Sequence, residues 1–575
     1  MGARWETYRM SAETPQTGSL AAGRFRWPAF PKPAPIEWIC LVGGLFLTIH
    51  YSWLMDDAFI YFRYVDNLLY LHYGLVFNAG EHVEGFSSPL WMLLLIALRV
   101  AGLNFWIITR LVGVLAFTAF WMLLVVINRR LSPARGPIMN FPLCFLAFNY
   151  GVLCYFTSGL ETPLVQVSAA LYALWVLNPG ALWLQALLAL TPILRPELCV
   201  PFAMGLIYLW SRQRKFPWQM ALLGLLITGD WLVFRIYYYA DLLPNTFYLK
   251  NEVDFTQGLL YLQDTAKPYW LYPVLCVFLA LTLLCSFWKR PGTPVTATQP
   301  AKSEADRPPE RWPTLEIRKR LLLLGMGAAI ALYVVKIGGD PRHYRFLAFP
   351  FCIWICACAG MVEQFWARLS LPRFRAVLGV AGVVVALLAA SFRPLQLTEH
   401  PFFGGDAESE EVNKIRDAER HRHRELLPTT PWGKGSDWDQ REEYAEFLRE
   451  HPDGRYARLR VSGSCADIYV EFDKRAVQDL GLTEPILART EMASDRPAHK
   501  LGLRRLAKDL ARIISAHGYT PYPGMYRDAV ERGRAPEWIV ENLPSIEIIE
   551  QKELNRHHFC ENLRLAFTFP DRIKP

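Results

Sequence analysis

The chain has 575 residues, of which 52% are hydrophobic and 20% charged, with a mean hydropathy of +0.14. That apolar excess excludes a disordered or fibrous chain and speaks against an enzyme solvated on all sides, because so much apolar surface needs a partner other than water. Sixty-one Lys and Arg against 53 Asp and Glu leave a formal charge of +8, too small a surplus at this length to argue for nucleic acid.

A bilayer core of about 30 Å needs roughly 20 mostly apolar residues per helix. In chain order, the runs 36–54, 105–127, 141–156, 163–177, 181–194, 201–210, 218–237, 270–287, 321–337, 346–361 and 376–392 predict about eleven spans. The first run starts too late, and lacks the small-residue site, for a cleaved leader, so it reads as an uncleaved first span. The shorter run 88–100 carries Arg99 and is expected to lie along the outer surface. Lys and Arg clusters before the first span and in alternate loops then put the N-terminus inside.

This organisation predicts a cytoplasmic tail over 1–35 and a multi-pass α-helical membrane domain over 36–392. Within the latter fall a first external loop at 55–104 and a cytoplasmic linker at 289–320, whose 291–311 stretch is rich in Pro, Thr and Ser. Residues 393–575 are charged and hold no spanning run, so they read as a soluble α/β or α+β domain outside the membrane. Nine of the eleven Cys sit in apolar runs and act as small hydrophobes. Cys465 and Cys560 lie in the soluble part, where an oxidising compartment would let them pair.

Ionisable groups at span ends are costly and therefore candidates for function. With the topology above they gather outside: Asp56 and Asp57, His82 and Glu84 in a Gly-rich loop, Glu161, Arg195 and Glu197, Asn245, Tyr248 and Lys250, then Asp340, Arg342, His343 and Arg345. Adjacent carboxylates let one act as base while the other holds a sugar hydroxyl or a metal; a plain helix cap is the bland alternative. In GGDPRHYRF two glycines break the helix before a compact cationic patch suited to phosphate, whether on a donor or on a lipid headgroup. Arg195 and Glu197 are also able simply to pair with each other, and Lys250 to snorkel. Asp437, Trp438 and Asp439 match a metal-binding spacing but follow no strand and read as a solvated loop. No Walker loop, GxGxxG after a strand, HExxH or GxSxG occurs, which removes support for an ATP-driven pump or a familiar hydrolase.

The succession DDAFIYFRY, GLVFNAGEHVEGFSSPLW, SGLETPL, ILRPE, LLPNTFYLK, GGDPRHYRF and QDLGLTEPILAR resembles the GT-C superfamily of polyprenyl-phosphate-dependent glycosyltransferases. It is most similar to the branch holding mycobacterial terminal arabinofuranosyltransferases and related bacterial enzymes that glycosylate pilins or envelope glycans. The resemblance implies catalysis at Asp56 and Asp57 and a further acid at Glu161; the acceptor hydroxyl needs a base, for which Asp57 is the first choice, with Asp56 orienting sugar or cation. It implies phosphate binding by Arg342, His343 or Arg345, with Arg195 and Lys250 as weaker counterparts. A divalent cation, if used, would sit at Asp56 or Glu161. The implied partners are a polyprenyl-phosphate sugar, a glycan or glycoprotein acceptor and membrane lipids, in a bacterial inner membrane with a periplasmic C-terminal domain. A transporter or flippase of lipid-linked sugars would use the same charges for binding alone, yet no internal repeat is visible. A non-catalytic envelope assembly protein would leave the acidic pair free to change.

Overall fold

A computed structural model describes residues 30–132, 139–250, 253–266, 271–277, 280, 312–340, 344–368, 449, 458–462, 464–470, 474–491, 497–519 and 521–575. Residues Pro33–Pro575 form one compact unit. The spans expected at 376–392 and over most of 270–287, the linker stretch 291–311, and Asp437 to Asp439 lie outside the described residues.

Helix α1 (Pro35–His50) starts on Pro35, and the Glu37 carboxylate accepts the Ala34 N–H at 2.7 Å. Helix α2 (Ala58–Leu69) is buried from Ala58 to Asn67, all the way round. Helix α3 (Pro89–Val100) is capped by Ser88, and α4 (Phe105–Leu131) by Asn104, whose side chain accepts from the Ile107 N–H at 2.9 Å. At 27 residues α4 is about 40 Å long, enough to cross a bilayer. It packs on the helix Thr162–Leu177 and on the turn Tyr155–Thr157, where Gly113 permits the approach: a Cβ there would sit 2.3 Å from the Phe156 carbonyl oxygen.

Among the described residues, three helical stretches are long and apolar enough to span by length and composition: Phe105–Leu131, Trp218–Tyr239 and Arg345–Gln364. Four shorter apolar helices accompany them: Pro35–His50, Pro89–Val100, Thr162–Leu177 and Leu182–Leu194. The run 141–156, read from sequence as one span, is broken. Asn149 leaves the helical region and its side chain caps Val152, splitting the run into Phe141–Phe148 and Tyr150–Cys154.

At the end of α1 away from Asp56 a buried polar latch ties the bundle. Glu37 takes Arg129 and the Asn140 amide, each at 2.7 Å, while Glu363 accepts the Asn128 amide at 2.9 Å and the Asn140 N–H at 2.7 Å. Each acid takes donors from other segments, which fixes register in an apolar surround.

In the C-terminal part, β1 (Arg458–Ser462) and β2 (Lys474–Gln478) pair in parallel across the short helix Cys465–Val470. Val477, Leu503, Leu510, Ile514, Ile539 and Ile546 form a core of their own beside them. This part docks on α2. Arg63 donates to the carbonyls of Phe77, Ile468 and Lys474, and Asp66 bridges Arg99 at 3.1 Å and the Tyr469 hydroxyl at 2.8 Å. Cys465 and Cys560, whose pairing the sequence leaves open, are both free thiols, Cys465 buried beside Asp56 and Cys560 exposed.

Candidate active site

Two tethers carry Asp56 and Asp57 to their place. The Trp53 indole donates to the Cys154 carbonyl at 2.9 Å, and the Met55 N–H to Ser158 at 2.9 Å. Gly159, at φ +84°, lets that loop lie against α2, since a Cβ there would come 2.8 Å from the Ala58 Cβ. The same loop ends at Glu161, immediately before Thr162–Leu177, and so carries a third carboxylate to Arg195.

The opposite wall is the turn after the helix Trp312–Lys336. Gly338 and Gly339 both have φ above +80°, and a Cβ on Gly339 would sit 2.4 Å from the Tyr261 ring. Tyr344 also takes a left-handed φ of 67°, held by its N–H to the Thr265 hydroxyl at 3.2 Å and by the Gln166 amide donating to its own hydroxyl at 3.1 Å. The result places Asp340, Arg345 and Phe346 side by side.

Seven ionisable side chains meet there. Arg345 contacts Asp57 at 2.6 Å and Asp340 at 3.6 Å; Lys250 contacts Asp340 at 3.5 Å; Arg195 contacts Glu197 at 2.6 Å and Glu161 at 3.6 Å. The Phe346 ring is their hub, with the Arg195, Lys250 and Arg345 charges at 4.6, 4.8 and 5.5 Å from its centroid. Asp57 is the accessible acid, 28% exposed, whereas Asp340 and Glu161 are each 1% exposed. Both Glu161 oxygens are buried without a hydrogen bond. A carboxylate so placed retains acceptor capacity for a ligand. Phe346 was missed by sequence reasoning, because an aromatic in an apolar run reads as core.

Asp56 turns away from its neighbour. Its oxygens accept the Ser464 hydroxyl at 3.0 Å and the N–H groups of Cys465 and Ala466 at 2.8 and 3.1 Å. It therefore holds the C-terminal part, while Asp57, at the start of α2, makes no capping bond. Asp56, Asp57 and Cys465 bring one ligand atom each within 4.8 Å of one another. This set is ill-suited to a hard divalent cation: burial and Asp56 push the Cys465 thiol up, so it stays protonated, Asp57 is paired with Arg345, and Glu161 faces Arg195 instead.

Of the remaining predicted residues, the described ones do not join the cluster. Arg342 and His343 lie outside the described residues. His82, Glu84 and Asn245 line a separate cleft with Asp241, Arg489 and Lys552. Glu84 pairs with Arg235, and the Trp231 indole donates to it at 3.2 Å. Asn245 donates to the Gly481 and Leu482 carbonyls, and Tyr248 donates to Asp241 at 2.6 Å.

Apolar helices of spanning length, carrying a compact ionic cluster on their connecting turns, define a helical membrane protein with a polar site at helix ends. The chain is similar to two proteins named terminal beta-(1->2)-arabinofuranosyltransferase. The one from Mycobacterium tuberculosis is 29% identical over 341 residues, covering 52% of this chain and 51% of the relative. That from Corynebacterium glutamicum is 28% identical over 334 residues, covering 52% and 46%. The chain thus spans about half the length of the curated relatives it matches. These relatives bear out the resemblance read from the motifs to the arabinofuranosyltransferase-like branch. No family model and no solved structure matches.

Proposed function

We propose that the protein is an integral-membrane glycosyltransferase that moves a sugar, arabinofuranose in the reading its relatives support, from a polyprenyl-phosphate donor to an envelope glycan or surface-protein acceptor. The site lies on the outer face of a bacterial inner membrane, with the N-terminus inside and the C-terminal part outside. The observation that carries this is the 2.6 Å pair between Asp57 and Arg345. A base and a phosphate-seeking cation already touch, so a donor phosphate has a defined place to enter.

The donor phosphate displaces the Asp57 carboxylate from Arg345, and Lys250 and Arg195 add positive charge around Phe346. Those cations stabilise the negative charge that grows on the leaving phosphate, at low cost because the protein has already oriented them. Asp57, freed from its partner, accepts the proton of the acceptor hydroxyl as that oxygen attacks the anomeric carbon. Asp340 keeps Arg345 and Lys250 in register, and Glu161 accepts from a sugar hydroxyl. The test is transfer by the purified chain from polyprenyl-phosphate arabinofuranose to an arabinan oligosaccharide. Turnover that Asp57→Asn lowers by about 10²–10⁴-fold supports the reading; no transfer to any glycan acceptor from any polyprenyl-phosphate sugar overturns it.

A further inference from the structure

The helix Trp218–Tyr239 is long and apolar enough to cross a bilayer, and Leu222, Leu225, Leu226 and Val233 stand exposed along it, a face suited to lipid. Its last turn is closed by residues from far along the chain. The Ala240 N–H donates to the Ile236 carbonyl at 3.2 Å, but the next two carbonyls accept side-chain amides of the C-terminal segment: Asn562 on Tyr237 at 2.6 Å and Asn555 on Tyr238 at 3.2 Å. The His557 ring stacks on Tyr238, with centroids 4.7 Å apart. Open carbonyls are costly next to lipid, so residues 555–562 complete the end of this span.

The helix Phe559–Ala566 has one packed face, formed by Asn562, Leu565 and Ala566. Beside it Phe559, Leu563 and Phe567 recur at intervals of four and form a stripe, with Phe559 42% and Phe567 62% exposed. Phe569, 59% exposed, follows, with the Lys552 ammonium 5.9 Å from its ring centroid. Three exposed phenylalanines in one short segment call for a partner other than water. Glu561 and Arg564 stand exposed on the same helix, which excludes the hydrocarbon core as that partner's depth. Arg556, Arg572 and Lys574 are exposed in the flanking chain. Aromatic rings next to cations, at the end of an apolar span, fit the boundary between acyl chains and headgroups: the rings enter between the chains and the cations meet phosphate.

We propose that the helix Phe559–Ala566, with Phe567 and Phe569, is an interfacial anchor that lies along a phospholipid surface and holds the C-terminal part against the membrane. It continues the exposed apolar wall of Trp218–Tyr239, to whose last turn it is bonded. Beyond Tyr239 the chain reaches Lys250 of the Asp57 cluster through the five-residue helix Asn245–Leu249, too short to recross a bilayer, so anchor and cluster share one end of the span. The C-terminal part that supplies residues 464–466 to Asp56 is thereby seated at the lipid surface. The anchor rests on membrane embedding and not on the transfer reaction.

The experiment uses the full chain in nanodiscs of equal parts phosphatidylcholine and phosphatidylglycerol, part of the lipid carrying a nitroxide high on its acyl chain. A bimane fluorophore is placed at Phe567→Cys or at Glu561→Cys, with the other exposed cysteines replaced by Ser. The expected result is lipid quenching at position 567 at least about two-fold stronger than at 561, lowered by a similar factor when Phe559→Ser and Phe569→Ser are combined with it. Equal quenching at the two positions, quenching at neither, or quenching at 567 that the double substitution leaves unchanged each overturns the anchor. Energy transfer between labels on two copies in place of lipid quenching also overturns it, by showing that a second chain covers this face. Because quenching needs no turnover, failure of the transferase reading and failure of the anchor register separately.

Discussion

Asp57 and Arg345 stand 288 residues apart in the chain and 2.6 Å apart in space. Arg345 is almost fully buried, while Asp57 keeps 28% of its surface. The pair is thus a fixed cation met by a reachable acid, and a phosphate able to replace that acid finds the cation already in position.

Asp57→Asn is expected to separate catalysis from stability. Arg345 retains Asp340 at 3.6 Å, so the buried cation is not orphaned. Transfer falls by about 10²–10⁴-fold, while the thermal unfolding midpoint of the purified protein stays close to that of the parent. A large drop in the midpoint would show that Asp57 serves the fold instead.

Gly339→Ala is expected to damage both. The new Cβ meets the Tyr261 ring and the backbone is held at φ +83°, so a loss of about 2–4 kcal/mol follows from crowding and left-handed strain together. Unfolding in detergent measures the first effect, and the KM for the lipid donor measures the displaced Asp340 and Arg345.

The C-terminal part is held to α2 by the Arg99, Asp66 and Tyr469 network. Asp66→Ala leaves the Arg99 charge buried and is expected to cost about 3–5 kcal/mol. Limited proteolysis between the two parts should accelerate. Asp66→Asn, which still accepts from Tyr469, should recover part of the protection.

Glu484 gives a pH dependence of known sign. Burial pushes its carboxyl up to about 7 against the opposing pull of Arg475, with Glu81 adding to the rise. Glu553 faces the same arginine and is also raised by burial. The folded state therefore binds more protons than the unfolded state between 4.5 and about 7, and stability falls as pH rises through that window. Glu484→Gln should flatten this part of the profile and stabilise the protein above pH 7, as read by chemical unfolding at a series of pH values.

The ionic cluster around Phe346 is legible in the sequence because each of its charged members interrupts an apolar pattern. Asp57, Glu161, Arg195, Glu197, Lys250, Asp340 and Arg345 all stand at helix ends, where a charge has no packing role to fill. Period and composition say nothing of partners, and this is where the reading parted from the structure. Asp56 looks equivalent to Asp57 but binds residues 464–466, some 400 positions away. His82, Glu84 and Asn245 lie beside a different cleft because their neighbours are Arg235 and the C-terminal helix, and no local spacing announces such pairs. Phe346 and Lys552 carry no motif at all; only their surroundings mark them.

The grip of Asp56 on residues 464–466 has a consequence for biogenesis. The first acidic turn leaves the ribosome early, yet its partners are synthesised more than 400 residues later. Nascent chains therefore wait with that turn unfinished, so arrest or truncation before Ser464 yields protein whose first acidic turn never gains its partners.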